Sequence, residues 1–242
     1  MKHKKLFVFD IETIPDESVK DTHNEGFLKH PFHKVVAISY LIANISYTDS
    51  DQEYYSNIKI GSGKANNEED LVGGFFDTLE NLKPRLISFN GRSFDLPVLK
   101  YRAMKYGISA PDFYNAGDKW NNYNQRYSVD WHCDLIETLS DYGASTKPKL
   151  NEVCAIFGFP GKIGVDGSQV LPMFNEGRVQ EIKDYCETDV LNTYLVYLKY
   201  ALHIGKICDQ SYSESLQEVN NLLVSSELNH WKQFKKAWND VI

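Results

Sequence analysis

The chain has 242 residues, 42% of them hydrophobic and 13% aromatic, with a formal net charge of −7. That size and apolar content suit one domain with a sizeable core, and no apolar run approaches the length of a membrane span. The acidic balance argues against a protein that grips long duplexes through a basic face, but leaves room for an enzyme that holds only a few phosphates.

Residues 5–12 read as a first strand, apolar from Leu6 to Phe9, as in a central strand covered on both faces. The basic head followed by this short run reads as a buried strand and not as a signal peptide, because the run stops at Asp10. Residues 34–45 and 52–60 read as the second and third strands, with the turn signal TDSD between them. Residues 67–82 place Leu71, Phe75 and Leu79 at helical spacing. A short apolar strand follows at 85–90, and Ser93 is the expected N-cap of a helix reaching about Tyr106. Residues 107–129, rich in Asn, Gly, Asp and Tyr, read as a long loop. Residues 130–141 suggest a strand and a short helix, and 149–157 a helix stopped by Gly158. A loop over 158–175 then leads to a long helix over 176–200.

A helical unit over about 211–240 carries Leu216, Val219, Leu222, Leu223, Trp231 and Phe234 as its core residues. The expected organisation is one domain over 1–242, with 202–242 as a helical extension packed on it. Three antiparallel strands, then alternating helix and strand, predict α/β architecture: a mixed sheet with helices on both faces. Cys133, Cys154, Cys186 and Cys208 are widely spaced without a CxxC, which points to reduced thiols and a cytoplasmic setting. His30 and His33 form an HxxH with no further Cys/His pair at zinc spacing, so they are expected to be surface histidines near a loop.

Three short motifs stand apart. Asp10 and Glu12 lie in FVFDIET, Asp95 in FNGRSFDLP, and Tyr185 with Asp189 in DYCETDV. On a strand, positions i and i+2 share a face, so Asp10 and Glu12 are side by side at the end of a buried element. Asp95 falls in the first turn of a helix just after a strand, where the helix dipole favours a carboxylate. Tyr185 and Asp189 are four apart on a helix and share a face with Ile182, Cys186, Thr193 and Val196, so Asp189 interrupts a core stripe. Asp51–Glu53, Tyr47–Asp51 and Tyr114–Asp118 repeat the same spacings in polar, turn-rich segments, where solvated surface charge is the expected reading. Buried carboxylates are costly unless paired or bound to metal, and four converging ones call for divalent cations. Two such ions would offset more than half of the net charge.

With these motifs in this order, the chain resembles the DEDDy 3′–5′ exonucleases of the DnaQ-like superfamily, which have a ribonuclease H-like fold. It looks most like stand-alone relatives of the proofreading domain of family B DNA polymerases. The histidine subtype would place its base at position 184, which is Asp184 here, so the tyrosine subtype fits. The resemblance implies a metal-dependent exonuclease that shortens single-stranded or frayed DNA from its 3′ end, releases nucleoside monophosphates and serves DNA repair. It implies two Mg²⁺ or Mn²⁺ ions, which suit hard carboxylate oxygens. Asp10 would bridge both, Glu12 and Asp189 would complete the first, and Asp95 would support the second. Tyr185 would orient the attacking water.

Thr13 and Ile14 would line the terminal nucleotide, and Asn90 and Phe94 would hold the strand, Phe94 through a base or sugar, unless it is a helix residue that faces the core. Lys149, beside Lys147 at a helix start, would meet a phosphate. The expected partner is a single-stranded 3′ end, DNA ahead of RNA, with no membrane. RNA is the alternative, since nothing in the sequence decides whether the site admits a 2′-hydroxyl. A hydrolase of nucleotides or other small phosphates would need a closed pocket. A non-catalytic nucleic-acid-binding protein would show broken motifs, whereas all five positions are intact.

Overall fold

The computed structural model describes residues 2–19, 28–164 and 167–241. In chain order, the sheet and its first helices are β1 (Lys5–Pro15), β2 (His33–Tyr47), β3 (Glu53–Ser62), α1 (Glu68–Leu82), β4 (Arg85–Ser88), α2 (Asp95–Lys105) and α3 (Pro111–Asn115). Then follow β5 (His132–Asp134), α4 (Leu135–Leu139), α5 (Leu150–Phe157), α6 (Val170–Asn175), α7 (Val179–His203), α8 (Asp209–Ser225) and α9 (Asn229–Val241).

The five strands form one sheet in the order β3-β2-β1-β4-β5. β1 pairs antiparallel with β2, β2 antiparallel with β3, and β1–β4 and β4–β5 are parallel. This is the mixed sheet, antiparallel strands first and parallel strands after, that the sequence predicts. β1 is its middle strand, hydrogen-bonded on both edges. Near Glu12 the β1–β2 register shifts: Glu12 faces Ala37 and Thr13 faces Val35, so Val36 is an extra residue in β2.

The period-two alternation of β1 feeds two cores. Leu6 and Val8 join Leu41, Ile87, Val190 and Leu195 beneath α7, with Val219, Leu223, Trp231 and Phe234 of α8 and α9 in the same cluster. Phe7, Phe9 and Ile11 pack on the other face with Phe75, Leu79 and Leu99 of α1 and α2. Leu216 and Leu222 are partly buried against the first of these clusters. Asn67 caps α1, its side chain accepting the Asp70 N–H at 2.8 Å.

Several segments depart from the sequence reading. Ser93 is not the N-cap of α2; the helix begins at Asp95, and the Ser93 N–H donates to the Asn90 carbonyl inside the preceding turn. Residues 107–129 contain α3 and are pinned to the core by Phe113 and Tyr123, whose rings stack at 5.5 Å. The Tyr123 hydroxyl donates to the Pro84 carbonyl at 2.8 Å. The expected loop over 158–175 contains α6; positions 165 and 166 of it lie outside the described residues. α7 starts at Val179, after a left-handed Gly177 (φ 75°) that ends the preceding turn. Among the described residues, no helix is long and apolar enough to cross a membrane.

Candidate active site

Asp10 and Glu12 continue the Leu6–Val8 side of β1, so both carboxylates face α7. Tyr185 and Asp189 look back from α7, one turn apart, and both are buried. Asp95 opens α2 from the other side of β1, and its Oδ1 accepts the Ile11 N–H at 3.1 Å. The backbone between Asp10 and Glu12 thus holds the third carboxylate in place. All five motif residues line one cleft of about 610 Å³, whose rim carries the exposed Lys147 and Lys149.

This gathering of acids is electrostatically unfavourable without cations. Burial, then Asp95, Glu12 and Asp189, push the Asp10 carboxyl well above the usual range. Burial and then Asp189 raise Glu12 to about 8. Burial raises Asp95 to about 7, although the Ile11 N–H opposes the shift. Burial also raises Asp189, with Lys162 opposing. Asp189 Oδ1 is buried and, among the described residues, accepts no hydrogen bond. An unpaired carboxylate oxygen in such a place is costly. The residues therefore fit a divalent cation: an acceptor-only set of hard oxygens with one buried oxygen unpartnered. The Cys186 thiol also lies close, 3.6 Å from Asp10 Oδ2. Burial raises its pKa strongly, so in the metal-free protein it is a neutral thiol beside Asp10.

The Tyr185 hydroxyl is held far above its ordinary pKa by burial and then by Asp189, so it is a neutral phenol. Its partner was invisible in the sequence. Lys162 Nζ donates to the Tyr185 oxygen at 2.5 Å and lies 3.4 Å from Asp189 Oδ2. Lys162 sits in a segment without helical or strand period. Its signal is the pair of glycines beside it, Gly161 and Gly164, both at positive φ.

The expected strand-binding residues divide. Asn90, Phe94 and Lys149 line the cleft. Phe94 is partly buried and meets the His33 ring edge-on at 5.0 Å and the His30 ring at 6.0 Å. His33 is therefore not the surface histidine expected from HxxH: it is buried, its Nε2–H donates to the Leu28 carbonyl and its Nδ1 accepts from the Thr13 hydroxyl at 2.8 Å. Thr13 and Ile14 are not brought to the cleft wall. Thr13 faces His33, and Ile14 is packed with Val170, Met173 and Ile182, covered by the helix α6 that the sequence reading took for loop. The N-terminus of α5 is already occupied, since Glu152 Oε2 accepts the Lys149 N–H at 2.7 Å. A phosphate there would compete with a built-in carboxylate.

A family model described as a predicted 3′–5′ exonuclease related to the exonuclease domain of PolB matches residues 25–238. The chain is similar to the catalytic polypeptide of DNA polymerase epsilon from Eremothecium gossypii, 27% identical over 210 residues that cover 81% of this chain and 9% of the relative. Its counterpart in Kluyveromyces lactis is 28% identical over 211 residues, with the same coverage. The chain thus spans about a tenth of the length of the curated relatives it matches. Escherichia coli exonuclease I in complex with a dA16 oligonucleotide aligns with a TM-score of 0.37 and 8% identity, over 90% of this chain and 44% of that one.

Proposed function

The chain belongs to the family of 3′–5′ exonucleases related to the exonuclease domain of PolB, and we propose that it hydrolyses single-stranded or frayed DNA from the 3′ end with two divalent cations. The observation that carries this reading is the convergence of Asp10, Glu12, Asp95 and Asp189 from three separate elements on one cleft, with Tyr185 among them. Asp10, Glu12 and Asp189 would hold one Mg²⁺ or Mn²⁺, and Asp10 with Asp95 the other. When bound, the cations supply Lewis-acid stabilisation of the attacking and leaving oxygens of an in-line displacement.

The protein's own groups do the rest. The neutral Tyr185 phenol, fixed by Lys162, orients the attacking water by a hydrogen bond. Phe94 offers an aromatic face to the terminal base or sugar, a contact that tolerates any sequence. Lys147 and Lys149 on the rim meet the backbone phosphates as solvated point charges. An open cleft with basic side chains at its mouth suits a polymer end better than a small phosphate ester.

The test uses purified protein, Mg²⁺ or Mn²⁺, and matched 5′-labelled DNA and RNA single strands. The expected result is a ladder that shortens from the 3′ end of DNA, absent in Asp10→Ala protein and with chelator. Equal or faster shortening of RNA would move the substrate to RNA. No metal-dependent product on either strand would overturn the exonuclease reading.

A further inference from the structure

Asp134, the last residue of β5, is 2% exposed and lies outside the three motifs. Its carboxylate accepts three backbone N–H groups. Oδ1 takes Asn90 at 2.8 Å and Ile136 at 3.2 Å, and Oδ2 takes Arg92 at 2.9 Å. The Ile136 bond is ordinary capping of α4. The other two reach back more than forty residues to the turn between β4 and α2.

That turn is a demanding one. Asn90 is left-handed, with φ 75°, a conformation that Asn tolerates better than most residues with a Cβ. Gly91 next to it has no room for a side chain, since a Cβ would lie 2.6 Å from the Ser88 side chain. The Asn90 carbonyl accepts from both Ser93 and Phe94 at 3.0 Å, and the Gly91 carbonyl accepts from Leu96 at 2.8 Å. The N–H groups that flank Gly91 are those of Asn90 and Arg92, and both end on Asp134. Directly after this turn come Phe94, on the cleft wall, and Asp95, on the Ile11 N–H.

We propose that Asp134 is a positioning residue for the exonuclease site: its two oxygens template the left-handed turn that delivers Asp95 to the cation seat on β1. This rests on the divalent-cation reading above. A carboxylate is required because both of its oxygens must accept at once. An amide of the same shape offers one acceptor and turns a donor toward the second N–H. Asp134→Asn therefore keeps the volume but opposes the amide group to a backbone N–H, and Asp134→Ala removes all three bonds.

The experiment compares full-length wild type, Asp134→Asn and Asp134→Ala. Glu53→Gln serves as a stability control, because Glu53, expected from the sequence to be solvated, is instead buried in an ion pair with Arg85 at the opposite end of β4. Mn²⁺ affinity is measured by calorimetry without substrate, amide exchange at Asn90 and Arg92 by NMR, and thermal midpoint by circular dichroism. Loss of a group that orients a metal ligand weakens metal binding by about 10–100-fold. The expected result is a loss near the lower end of that range for Asp134→Asn and a larger one for Asp134→Ala, with faster exchange at both amides. Glu53→Gln should lower the midpoint without changing either readout.

Mn²⁺ affinity and turn exchange close to wild type in both Asp134 variants would overturn the proposal. So would changes that merely follow the midpoint and appear equally in Glu53→Gln. If wild type neither binds Mn²⁺ nor shortens a strand, the exonuclease reading fails instead, and the exchange at Asn90 and Arg92 alone decides whether Asp134 holds the turn.

Discussion

The Lys162 ammonium and the Tyr185 hydroxyl, 23 residues apart in sequence, are 2.5 Å apart in space, with Lys162 donating. The same ammonium stands 5.2 Å from the Tyr185 ring centre and 3.4 Å from Asp189 Oδ2. One cation thus fixes both the direction of the phenol and one side of a carboxylate. Lys162→Met should leave the fold intact and free the phenol to rotate. Misplacing a group that orients a reactant costs on the order of a hundredfold in rate. The expected outcome is a drop of that order in the single-turnover rate on a 5′-labelled strand, with a smaller change in KM. Lys162→Arg should fall between the two.

Burial raises all four carboxyls in the metal-free protein, and neighbouring acids of the site add to the shift at Asp10 and Glu12. Replacing one of these buried carboxyls by its amide should therefore stabilise that form while destroying the site. Asp10→Asn is expected to gain about 1 kcal/mol of stability in chelator, as substitutions at strained functional positions commonly do. Its exonuclease activity should vanish. Urea unfolding of both proteins with EDTA present measures the first effect, and strand shortening the second.

Divalent cations should act as stabilising ligands of the native state. A ligand at a hundredfold over its Kd adds about 2.7 kcal/mol, which for a chain of this size corresponds to a rise in Tm of roughly 5–10 °C. Mg²⁺ or Mn²⁺ should produce such a rise in wild type, EDTA should reverse it, and Asp10→Asn should show little of it. Differential scanning calorimetry across a metal titration gives the answer.

Acid should unfold the protein through two buried ion-pair networks away from the cleft. Burial alone would raise Asp16, but hydrogen bonds from Lys105, Ser18 and Arg102 outweigh it and hold the carboxyl well below the usual range. Burial likewise would raise Glu53, but the Arg85 guanidinium outweighs it and holds the carboxyl below its ordinary value. A depressed folded pKa contributes stability above the unfolded pKa, near 4, and that contribution disappears as pH falls through the folded value. At neutral pH, Asp16→Asn should cost about 3 kcal/mol, as breaking a buried pair does. The difference from wild type should shrink steadily below pH about 4. Denaturant melts at a series of pH values test the trend.

What the sequence made legible was local. Strand parity put Asp10 beside Glu12, and helical spacing put Tyr185 beside Asp189, because both relations depend on chain geometry over a few residues. The mixed sheet followed from the order of apolar runs. What stayed hidden depends on contacts across long separations. Lys162 finds Tyr185 from a segment with no period, and Asp134 finds Asn90 across 44 residues. Ile14 looked available to substrate only because α6, which covers it, carries too short a pattern to read as a helix. His33 looked like surface for the same reason: the Phe94 and Thr13 that enclose it arrive from elsewhere in the chain.

The extra residue at Val36 makes one stretch of β2 sensitive to length rather than to letter. Side-chain direction in a strand alternates residue by residue, so a chain one residue shorter there would turn the preceding segment over. Val35, whose N–H now donates to Glu68 at 2.6 Å, and His33, now beneath Phe94, would exchange their inward and outward sides. Replacing Val36 by Ile or Leu would disturb only local packing with Ile14 and Met173. An insertion or deletion at this point would damage the aromatic wall of the cleft without replacing any of the cleft's acidic residues.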